Sequence, residues 1–358
     1  MKKNILLHGA TNCKSSNYGD FIYAELLYWY ITEKGFNVLF WQPSSFFINK
    51  LNNYIDKPQK TKMQSCALVY IPGGYFGEGH DAKFIENVIQ FYRFMPIGLK
   101  FIKNRKTIGI IGIGAGPNNN SYLTWAIRKI CNNALLITVR DKISFDAIKS
   151  ICPQSHVYEC SDLIIASSSK IKKYEKSEQI NTLLTKHIGK KLLLVHFNSN
   201  IKALDLFVET LNSFIKDYPE YHIIVTSDNI LKNENELFKR FVSKCSYDCS
   251  HFIYDDPAEM TTLLTKVDVV LTCKLHVGVV ACLFNKSVIV AAMHPEKTKR
   301  FYSQIGEEAR CVSLFDTSKD YLYAMLVKYH NKKIYIPQSE IIKAEQNWKM
   351  LDNFLEKL

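Results

Sequence analysis

The chain has 358 residues, of which 47% are hydrophobic and 22% charged, and it carries a formal net charge of +12 at pH 7. This composition is typical of a water-soluble globular protein, and the length suits two domains better than one. No stretch approaches the ~18 apolar residues of a membrane-spanning helix, and no nucleic-acid-binding motif accompanies the positive charge, so we expect neither a membrane span nor a nucleic-acid partner.

The surplus of lysine and arginine fits an anionic membrane surface, a phosphate-bearing substrate or simply a surface rich in exposed lysine. The ten cysteines are scattered without a CxxC pair, which is typical of reduced thiols in a cytoplasmic protein. The first apolar run, residues 4–7, is too short for a signal peptide and predicts a strand instead. The sequence has no cluster of residues at the spacing typical of metal ligands, so we expect no bound metal.

In the first half of the chain, short runs rich in Val, Ile and Leu alternate with longer amphipathic stretches. The predicted strands are 4–7, 38–41, 67–71, 107–113 and 135–138, and the clearest predicted helices are 21–34 and 84–102. Alternation of this kind predicts a parallel sheet with helices on both faces.

The turn between the first strand and the first helix has the sequence Asn17-Tyr18-Gly19-Asp20. Gly19 allows a tight backbone, and Asn17 or Asp20 can cap the helix that follows. Taken alone, this pattern is typical of an ordinary strand–turn–helix junction.

A glycine-rich segment, residues 72–79, follows the third predicted strand and includes Gly74 and Tyr75. Its glycines let backbone N–H groups approach a ligand closely, although the lysine of a P-loop is missing. Its place at the carboxyl end of a strand favours a substrate-facing loop over a merely flexible one. A second glycine motif, residues 112–114, predicts a turn rather than a nicotinamide site, because no well-placed acid follows the next strand.

Arg140 and Asp141 follow the fifth predicted strand. An arginine at this position can bind a carboxylate or a phosphate through two parallel hydrogen bonds. It can also form a salt bridge with Asp141, which would cap the next helix. The two roles are compatible, so the sequence leaves both open.

Residues 166–190 are polar and basic and predict a surface linker, after which the alternation resumes. The predicted strands are 191–197, 222–226, 252–254, 267–271, 287–291 and 311–314. The predicted helices are 202–216, 233–245, 258–265, 277–284, 318–329 and, at the end of the chain, 339–358. The chain is thus predicted to be α/β, with two Rossmann-like domains facing a cleft, at residues 1–165 and 191–338.

Two neighbouring predicted strands of the second domain end in basic and imidazole side chains. The first is followed by Lys274 and His276, and the second by His294, Lys297 and Arg300. Ligands of parallel sheets bind at the carboxyl ends of the strands. This edge therefore predicts a site for a small, highly charged anion.

His276 lies at the predicted start of helix 277–284. A helix N-terminus attracts phosphate through its N–H groups and its dipole, and the same dipole disfavours a protonated histidine. We therefore expect His276 to be neutral in the empty site and to gain a proton more readily once a dianion binds.

In this order, the motifs resemble those of the polysaccharide pyruvyl transferase family and cover nearly the whole chain. They are residues 17–20, Gly73-Gly74, residues 112–114, Arg140-Asp141, Cys160-Ser161-Asp162, Leu275-His276 and Lys297 with Phe301 and Gly306. The resemblance implies a fold of the GT-B type, with the C-terminal helix packing back on the N-terminal domain. It also implies transfer of the enolpyruvyl group of phosphoenolpyruvate to two hydroxyls of a sugar, which forms a pyruvate ketal in exopolysaccharide or capsule.

The chemistry of this donor suggests a role for each candidate residue, and we expect no cofactor beyond phosphoenolpyruvate itself. His276 is the expected general acid or base, with a role as a phosphate ligand alone as the alternative, and Asp20 is the expected base for the acceptor hydroxyl. The expected donor-binding residues are Arg140, Lys274, Leu275, His294, Lys297 and Arg300. The expected acceptor-binding residues are Asn17, Tyr18, Gly19, Gly74 and Tyr75. Lys274 stands where the family usually has arginine, which keeps the charge but loses the planar fork, and His294 where tyrosine is common.

The expected acceptor is a lipid-linked oligosaccharide, and the positive charge fits a cytoplasmic enzyme that associates peripherally with the inner, anionic membrane face. The strongest alternative is a GT-B glycosyltransferase with a nucleotide-sugar donor. Cations outnumber acids around residues 274–300, which favours a smaller and more anionic donor. A glycan-binding protein without activity is a further alternative, which turnover would distinguish.

Overall fold

The computed structural model of the chain describes residues 2–12, 16–51, 53–79, 82–197, 200–228 and 234–358. The chain divides into two compact units. The first unit consists of Met1–Lys14, Asp20–Ser167 and Gln338–Leu358, and the second of Ser15–Gly19 and Ser168–Pro337. Each unit contains its own parallel sheet, so the predicted α/β class with two parallel sheets is confirmed.

The first unit is built on a parallel sheet in the order β2-β1-β3-β5-β6-β7, with β4 paired to β5. Its strands are β1 (Asn4–His8), β2 (Asn37–Phe40), β3 (Ala67–Tyr70), β4 (Gly73–Phe76), β5 (Thr107–Ala115), β6 (Leu136–Val139) and β7 (Tyr158–Glu159). Its helices are α1 (Tyr18–Glu33), α2 (Ser45–Lys50), α3 (Gln59–Met63), α4 (Phe84–Lys103), α5 (Ser121–Asn132), α6 (Lys142–Ile151) and the C-terminal α14 (Gln338–Leu355). The first two residues of α1 group with the second unit.

The C-terminal helix α14 packs back on the first unit, as predicted. The buried Asn347 amide accepts a hydrogen bond from Thr138 Oγ1 (2.6 Å) and donates one to the Ser161 carbonyl (3.0 Å). The Trp348 ring lies 4.3 Å from that of Tyr30, centroid to centroid. These contacts fix α14 against β6 and α1 through both polar and aromatic groups.

Both glycine motifs of the first unit lie in strands rather than in the predicted loop and turn. Gly73–Phe76 forms β4, inside the predicted loop 72–79, and residues 112–114 continue β5. Gly112 has φ +56, a left-handed conformation, where the register of β5 against β6 shifts. A bulge at this glycine lets the strand continue where the sequence predicts its end.

The second unit is also built on a parallel sheet, in the order β10-β9-β8-β11-β12-β13. Its strands are β8 (Lys191–His196), β9 (Tyr221–Thr226), β10 (Cys249–His251), β11 (Val269–Thr272), β12 (Ser287–Ala292) and β13 (Cys311–Ser313). Its helices are α7 (Glu178–Lys186), α8 (Ile201–Asp217), α9 (Glu234–Lys244), α10 (Pro257–Lys266), α11 (Leu275–Leu283), α12 (Pro295–Gln304) and α13 (Lys319–Tyr329). Strand order changes direction between β8 and β11.

Several predictions for the second unit differ from the structure. The predicted linker 166–190 contains α7, and the Tyr174 hydroxyl donates to Asp256 (2.9 Å), so this segment packs on the unit instead of spanning open solvent. The predicted strand 252–254 is displaced to Cys249–His251, because the buried Phe252 and Tyr254 follow the strand rather than form it. The predicted helix 233–245 begins at Asn233, which lies outside the described residues. Among the described residues, no helix has both the length and the apolar composition needed to cross a bilayer.

Candidate functional site

The candidate site lies at the carboxyl edge of the second sheet, where strand order reverses. His196 ends β8 and Thr272 ends the adjacent β11, and His196 Nδ1 lies 3.2 Å from Thr272 Oγ1. Both residues are fully buried. In open α/β sheets this switch point is where ligands bind, because neighbouring connections leave on opposite faces and open a crevice.

Helix α11 begins at this edge with a basic residue at its N-cap. Lys274 occupies the N-cap, and its backbone N–H donates to Thr272 Oγ1 (3.0 Å). A lysine side chain has only donors, so it cannot cap the N–H groups of Leu275, His276 and Val277. A helix start of this kind attracts an anion through those N–H groups, the helix dipole and the ammonium.

Helix α12 begins beside α11 at the end of the adjacent strand β12. His294 occupies its N-cap, Pro295 is its first residue, and Lys297 lies in the first turn. Strands β11 and β12 are parallel neighbours, with Val270 opposite Val288. The edge therefore holds two helix N-termini side by side.

The two helices approach closely at a glycine. A Cβ added to Gly278 of α11 would overlap the hydroxyl of Tyr302, a fully buried residue of α12. This contact fixes the second helix start relative to the first, and so fixes the spacing of their cations.

The pKa of His294 is lowered first by desolvation and then by two neighbouring lysines. Desolvation of the ring, Lys297 and Lys274 all lower the pKa of His294 below its ordinary value of 6.5. His294 is therefore neutral at pH 7 while the edge is empty. Since Lys274 belongs to one helix start and Lys297 to the other, the structure places these two of the predicted cations near His294. The expected neutral state of His276 stays a prediction.

A buried carboxylate that sequence reasoning missed, Asp228, lies among these groups. Its oxygens are 3.6 Å from Lys274 Nζ and 3.5 Å from His196 Nε2, and accept a hydrogen bond from the Tyr18 N–H (3.2 Å). Burial alone would raise the pKa of Asp228, but Lys274, His196 and the Tyr18 N–H outweigh it and hold that pKa well below its usual range. Asp228 is thus ionised and holds Lys274 in place. It follows predicted strand 222–226 by two residues, so the strand-end rule that identified Lys274 would also have found it.

The motif at residues 17–20 contributes its first three residues to this same cluster. The Ser16 hydroxyl donates to the Asp228 carbonyl (2.8 Å), and the Tyr254 hydroxyl donates to the Ser16 carbonyl (3.0 Å). Gly19 packs directly on His276, because a Cβ at Gly19 would overlap the imidazole ring. Residues 16–19 thus form a wall of the His276 site.

Tyr18 does not have the position predicted for an acceptor-binding side chain. It is fully buried, and its hydroxyl lies 2.6 Å from Thr261 Oγ1. Tyr18 anchors the motif to α10 instead. Asn17 is half-buried and Gly19 packs on His276, and their acceptor contacts stay predictions.

The other predicted acceptor and base residues, Asp20, Gly74 and Tyr75, belong to the first unit. Tyr75 is buried, stacks on Phe94 with ring centroids 4.3 Å apart, and donates to the Ile71 carbonyl (2.5 Å). Its side chain is a core group, contrary to the prediction. Gly74 is exposed on β4, and Asp20 lies in the first turn of α1.

Arg140, also in the first unit, is buried among acidic partners. Its Nε lies 3.8 Å from Asp141, which caps α6 by accepting from the Ser144 N–H (2.6 Å). Burial alone would lower the pKa of Arg140, but Tyr23, Asp162 and Asp141 raise it. The salt bridge and the cap expected as one of its two roles are therefore present, and the donor contact stays a prediction. In the part of the chain that the structure describes, no three His, Cys, Asp or Glu side chains are grouped as a metal site.

The sequence of residues 17–295 matches the profile of the polysaccharide pyruvyl transferase family. No curated protein matches the chain.

Solved structures show the fold. The S. aureus MnaA–UDP co-structure is 14% identical, with 100% of this chain and 98% of that chain covered and a TM-score of 0.66. UDP-GlcNAc 2-epimerase from Neisseria meningitidis bound to UDP-GlcNAc is 13% identical over 99% of this chain and 100% of that one, with a TM-score of 0.63. A trehalose-phosphate synthase from Burkholderia xenovorans in complex with glucose-6-phosphate is 8% identical over 100% and 99%, with a TM-score of 0.53. The predicted GT-B-type fold is thereby confirmed, and identities this low bear on the fold alone.

Proposed function

Because the chain belongs to the polysaccharide pyruvyl transferase family, we propose that this pyruvyltransferase moves the enolpyruvyl group of phosphoenolpyruvate onto two hydroxyls of one sugar in a surface glycan. The product is a pyruvate ketal. The observation that carries the proposal is the pair of adjacent helix starts with Lys274, His276, His294 and Lys297 at one sheet edge. Phosphoenolpyruvate places a carboxylate and a phosphate on three carbons, and such a compact anion matches such a compact group of donors.

The two helix starts divide the donor between them. The phosphate is assigned to the N-terminus of α11, where backbone N–H groups and Lys274 meet it. The carboxylate is assigned to the start of α12, with Lys297 and Arg300 as its cations. Asp228 orients Lys274 from 3.6 Å without itself reaching solvent, since it is only 3% exposed.

The reaction needs a proton at carbon and two additions at its neighbour. A proton is delivered to the methylene carbon of the donor, which leaves the adjacent carbon cationic. One sugar hydroxyl adds to that carbon, the bond to phosphate breaks, and a second hydroxyl of the same sugar closes the ring. Two hydroxyl protons are released. One restores the acid that gave its proton to the methyl group, and the other leaves with phosphate.

His276 is the proposed general acid and base, a role that contributes about 10²–10⁴ in rate. Its packing against Gly19 gives the ring a fixed position at the start of α11. Asp20 is the proposed base for the acceptor hydroxyl. The proposed acceptor is a sugar in a lipid-linked oligosaccharide, with Asn17 and Gly19 as its contacts in the second unit.

The test is release of inorganic phosphate from phosphoenolpyruvate by the full chain, with a mixed panel of sugar acceptors and mass spectrometry of the products. We expect acceptor-dependent release and a ketal of the matching mass. His276→Ala should lower the rate by about 10²–10⁴ while its circular dichroism and melting temperature stay those of the wild type.

The control is His156→Ala, which removes an exposed histidine of the first unit and should leave the rate unchanged. Near-wild-type turnover of His276→Ala would remove this residue from the chemistry. If phosphoenolpyruvate stays intact with every acceptor while a nucleotide sugar is consumed, the protein is a glycosyltransferase instead.

A further inference from the structure

Helix α4 presents an apolar line of residues to solvent. Its inner face is buried in the first unit through Phe91, Phe94, Met95, Ile97 and Phe101. On the opposite side, Ile85 is 60% exposed, Ile89 49% and Tyr92 68%. These three residues are spaced i, i+4 and i+7, so they form one line along the helix. A helix at the surface of a globular protein normally carries polar residues there.

The neighbouring helix α5 extends this apolar area. The ring of its Tyr122 lies 4.0 Å from that of Phe91 on α4, centroid to centroid. Trp125, one turn further along α5, is 47% exposed. The six exposed side chains that make up this α4–α5 surface are Phe84, Ile85, Ile89, Tyr92, Tyr122 and Trp125. A cluster of this size on a soluble protein marks an interaction site.

The cations around the α4–α5 surface identify the partner. Helices α4 and α5 carry the exposed cations Arg93, Lys100, Lys103, Arg128 and Lys129, and Lys83 precedes α4. The acid within the two helices is Glu86, which is engaged by the Lys83 N–H (2.7 Å). A second copy of this chain docked here would place cations against cations. An anionic surface instead neutralises them.

We propose that the α4–α5 surface binds the face of a lipid bilayer that contains anionic lipids. Trp and Tyr side chains prefer the boundary between headgroups and acyl chains, and Ile and Phe gain by entering the apolar layer below. The flanking lysines and arginines attract the anionic headgroups. The partner is thus recognised by two different forces, of which one is weakened by salt and the other is not.

This inference goes beyond the transfer reaction, because it concerns where the protein meets its acceptor and not how it acts on it. It refines the sequence prediction of membrane association, which was based on net charge alone. Charge alone predicts binding that vanishes at high salt, whereas the apolar side chains predict that part of the binding survives.

The experiment is co-sedimentation of the full chain with vesicles of phosphatidylcholine, with and without phosphatidylglycerol. We expect binding to the vesicles that contain phosphatidylglycerol, with a measurable fraction retained at high salt. Ile89→Gln should weaken that binding by about tenfold, the order expected when one isoleucine side chain is lost from an apolar medium. Ile342→Gln is the matched control, since Ile342 is also 49% exposed on a helix of the same unit.

A second pair of variants tests the cations around the α4–α5 surface, which form its charged rim. Lys100→Gln with Lys129→Gln should weaken low-salt binding more than Lys349→Gln with Lys357→Gln, which removes the same charge from exposed positions in and after α14.

The proposal is overturned if wild-type protein binds neither kind of vesicle at low salt, or if Ile89→Gln and Ile342→Gln weaken binding equally. It is also overturned if light scattering shows a dimer that Ile89→Gln dissociates while vesicles bind nothing. Turnover of Ile89→Gln on a soluble acceptor stays normal, so failure here is distinguishable from failure of the proposed function.

Discussion

At the scale of single residues, the candidate site depends on a contact between two motifs that are more than 250 residues apart in the sequence. Gly19 and His276 touch so closely that no side chain fits between them. Ser16 and Tyr18 hold the glycine in place through Asp228, and Asp228 also holds Lys274. The short motif after β1 thus orients the His276 imidazole directly and the Lys274 ammonium through Asp228.

The Gly19–His276 contact makes a sharp prediction. Gly19→Ala places a methyl group where the His276 ring lies, so the ring must move, and we expect turnover to fall by about 10²-fold because catalysis tolerates little misplacement. The double variant Gly19→Ala with His276→Ala should be no slower than His276→Ala alone, since the methyl group acts through the ring. Steady-state rates of the three variants check this. Independent, multiplying losses would mean that Gly19 acts on something other than His276.

Individual site residues differ in how far the sequence could identify them. Lys274, His276, His294 and Lys297 follow two predicted strands, and the rule that parallel strands end at one edge was enough to group them. Tyr18 and Tyr75 are expected acceptor contacts only through the motifs to which they belong or which they adjoin. Their burial comes from contacts with distant residues, such as Thr261 and Phe94, which no local pattern contains.

At the scale of elements, most of the strands predicted from apolar runs are present in the structure, whereas the loop and turn predicted from glycine-rich segments contain strands instead. Strands rich in Val, Ile and Leu, such as β11 and β12, form where the sequence predicts them, because their buried side chains determine their structure. The glycine-rich segments β4 and the end of β5 have few side chains to signal a strand, and what stabilises them is pairing with each other. Local propensity therefore predicted loops where tertiary pairing makes strands.

The C-terminal helix α14 supplies the prediction at this scale. Asn347 links it to Thr138, which in turn accepts from the Gly112 N–H (2.7 Å) at the bulge of β5. Asn347→Ala leaves these buried groups short of a partner and should lower the free energy of unfolding of the first unit by about 2 kcal/mol. Asn353→Ala, at an exposed position of the same helix, should change it by less than about 0.5 kcal/mol.

Tryptophan fluorescence during urea unfolding suits this comparison. The four tryptophans, Trp29, Trp41, Trp125 and Trp348, all belong to the first unit, so their signal reports on that unit alone. Equal midpoints for Asn347→Ala and Asn353→Ala would show that the Asn347 hydrogen bonds do not hold α14 in place.

At the scale of the whole molecule, which has a net charge of +12, cations are grouped in at least two places. One is the edge of the second sheet, where the cations surround a buried carboxylate and two helix starts. The other is the rim of the α4–α5 surface in the first unit. We interpret the first as a site for a small anionic donor and the second as a contact with anionic lipid. The composition indicated that both partners are anionic, but it could not show that they bind at two different places.

The whole-molecule comparisons also show why the site, and not the fold, carries the functional argument. The GT-B-type fold is shared with UDP-GlcNAc 2-epimerases and a trehalose-phosphate synthase at identities of 8–14%. A fold at that distance hosts many activities. The family match and the cationic edge are what distinguish this chain.

The central claim is that the starts of α11 and α12 bind phosphoenolpyruvate, and calorimetric titration of the full chain with this compound tests it most directly. Lys297→Met is compared with Lys299→Met, which removes an equal charge two residues along α12, where the side chain is exposed and faces the β13 side. We predict that wild-type protein binds the compound, that inorganic phosphate competes, and that Lys297→Met raises Kd by about tenfold or more while Lys299→Met stays within about twofold. Absence of wild-type binding, or equal losses in the two variants, would contradict the account.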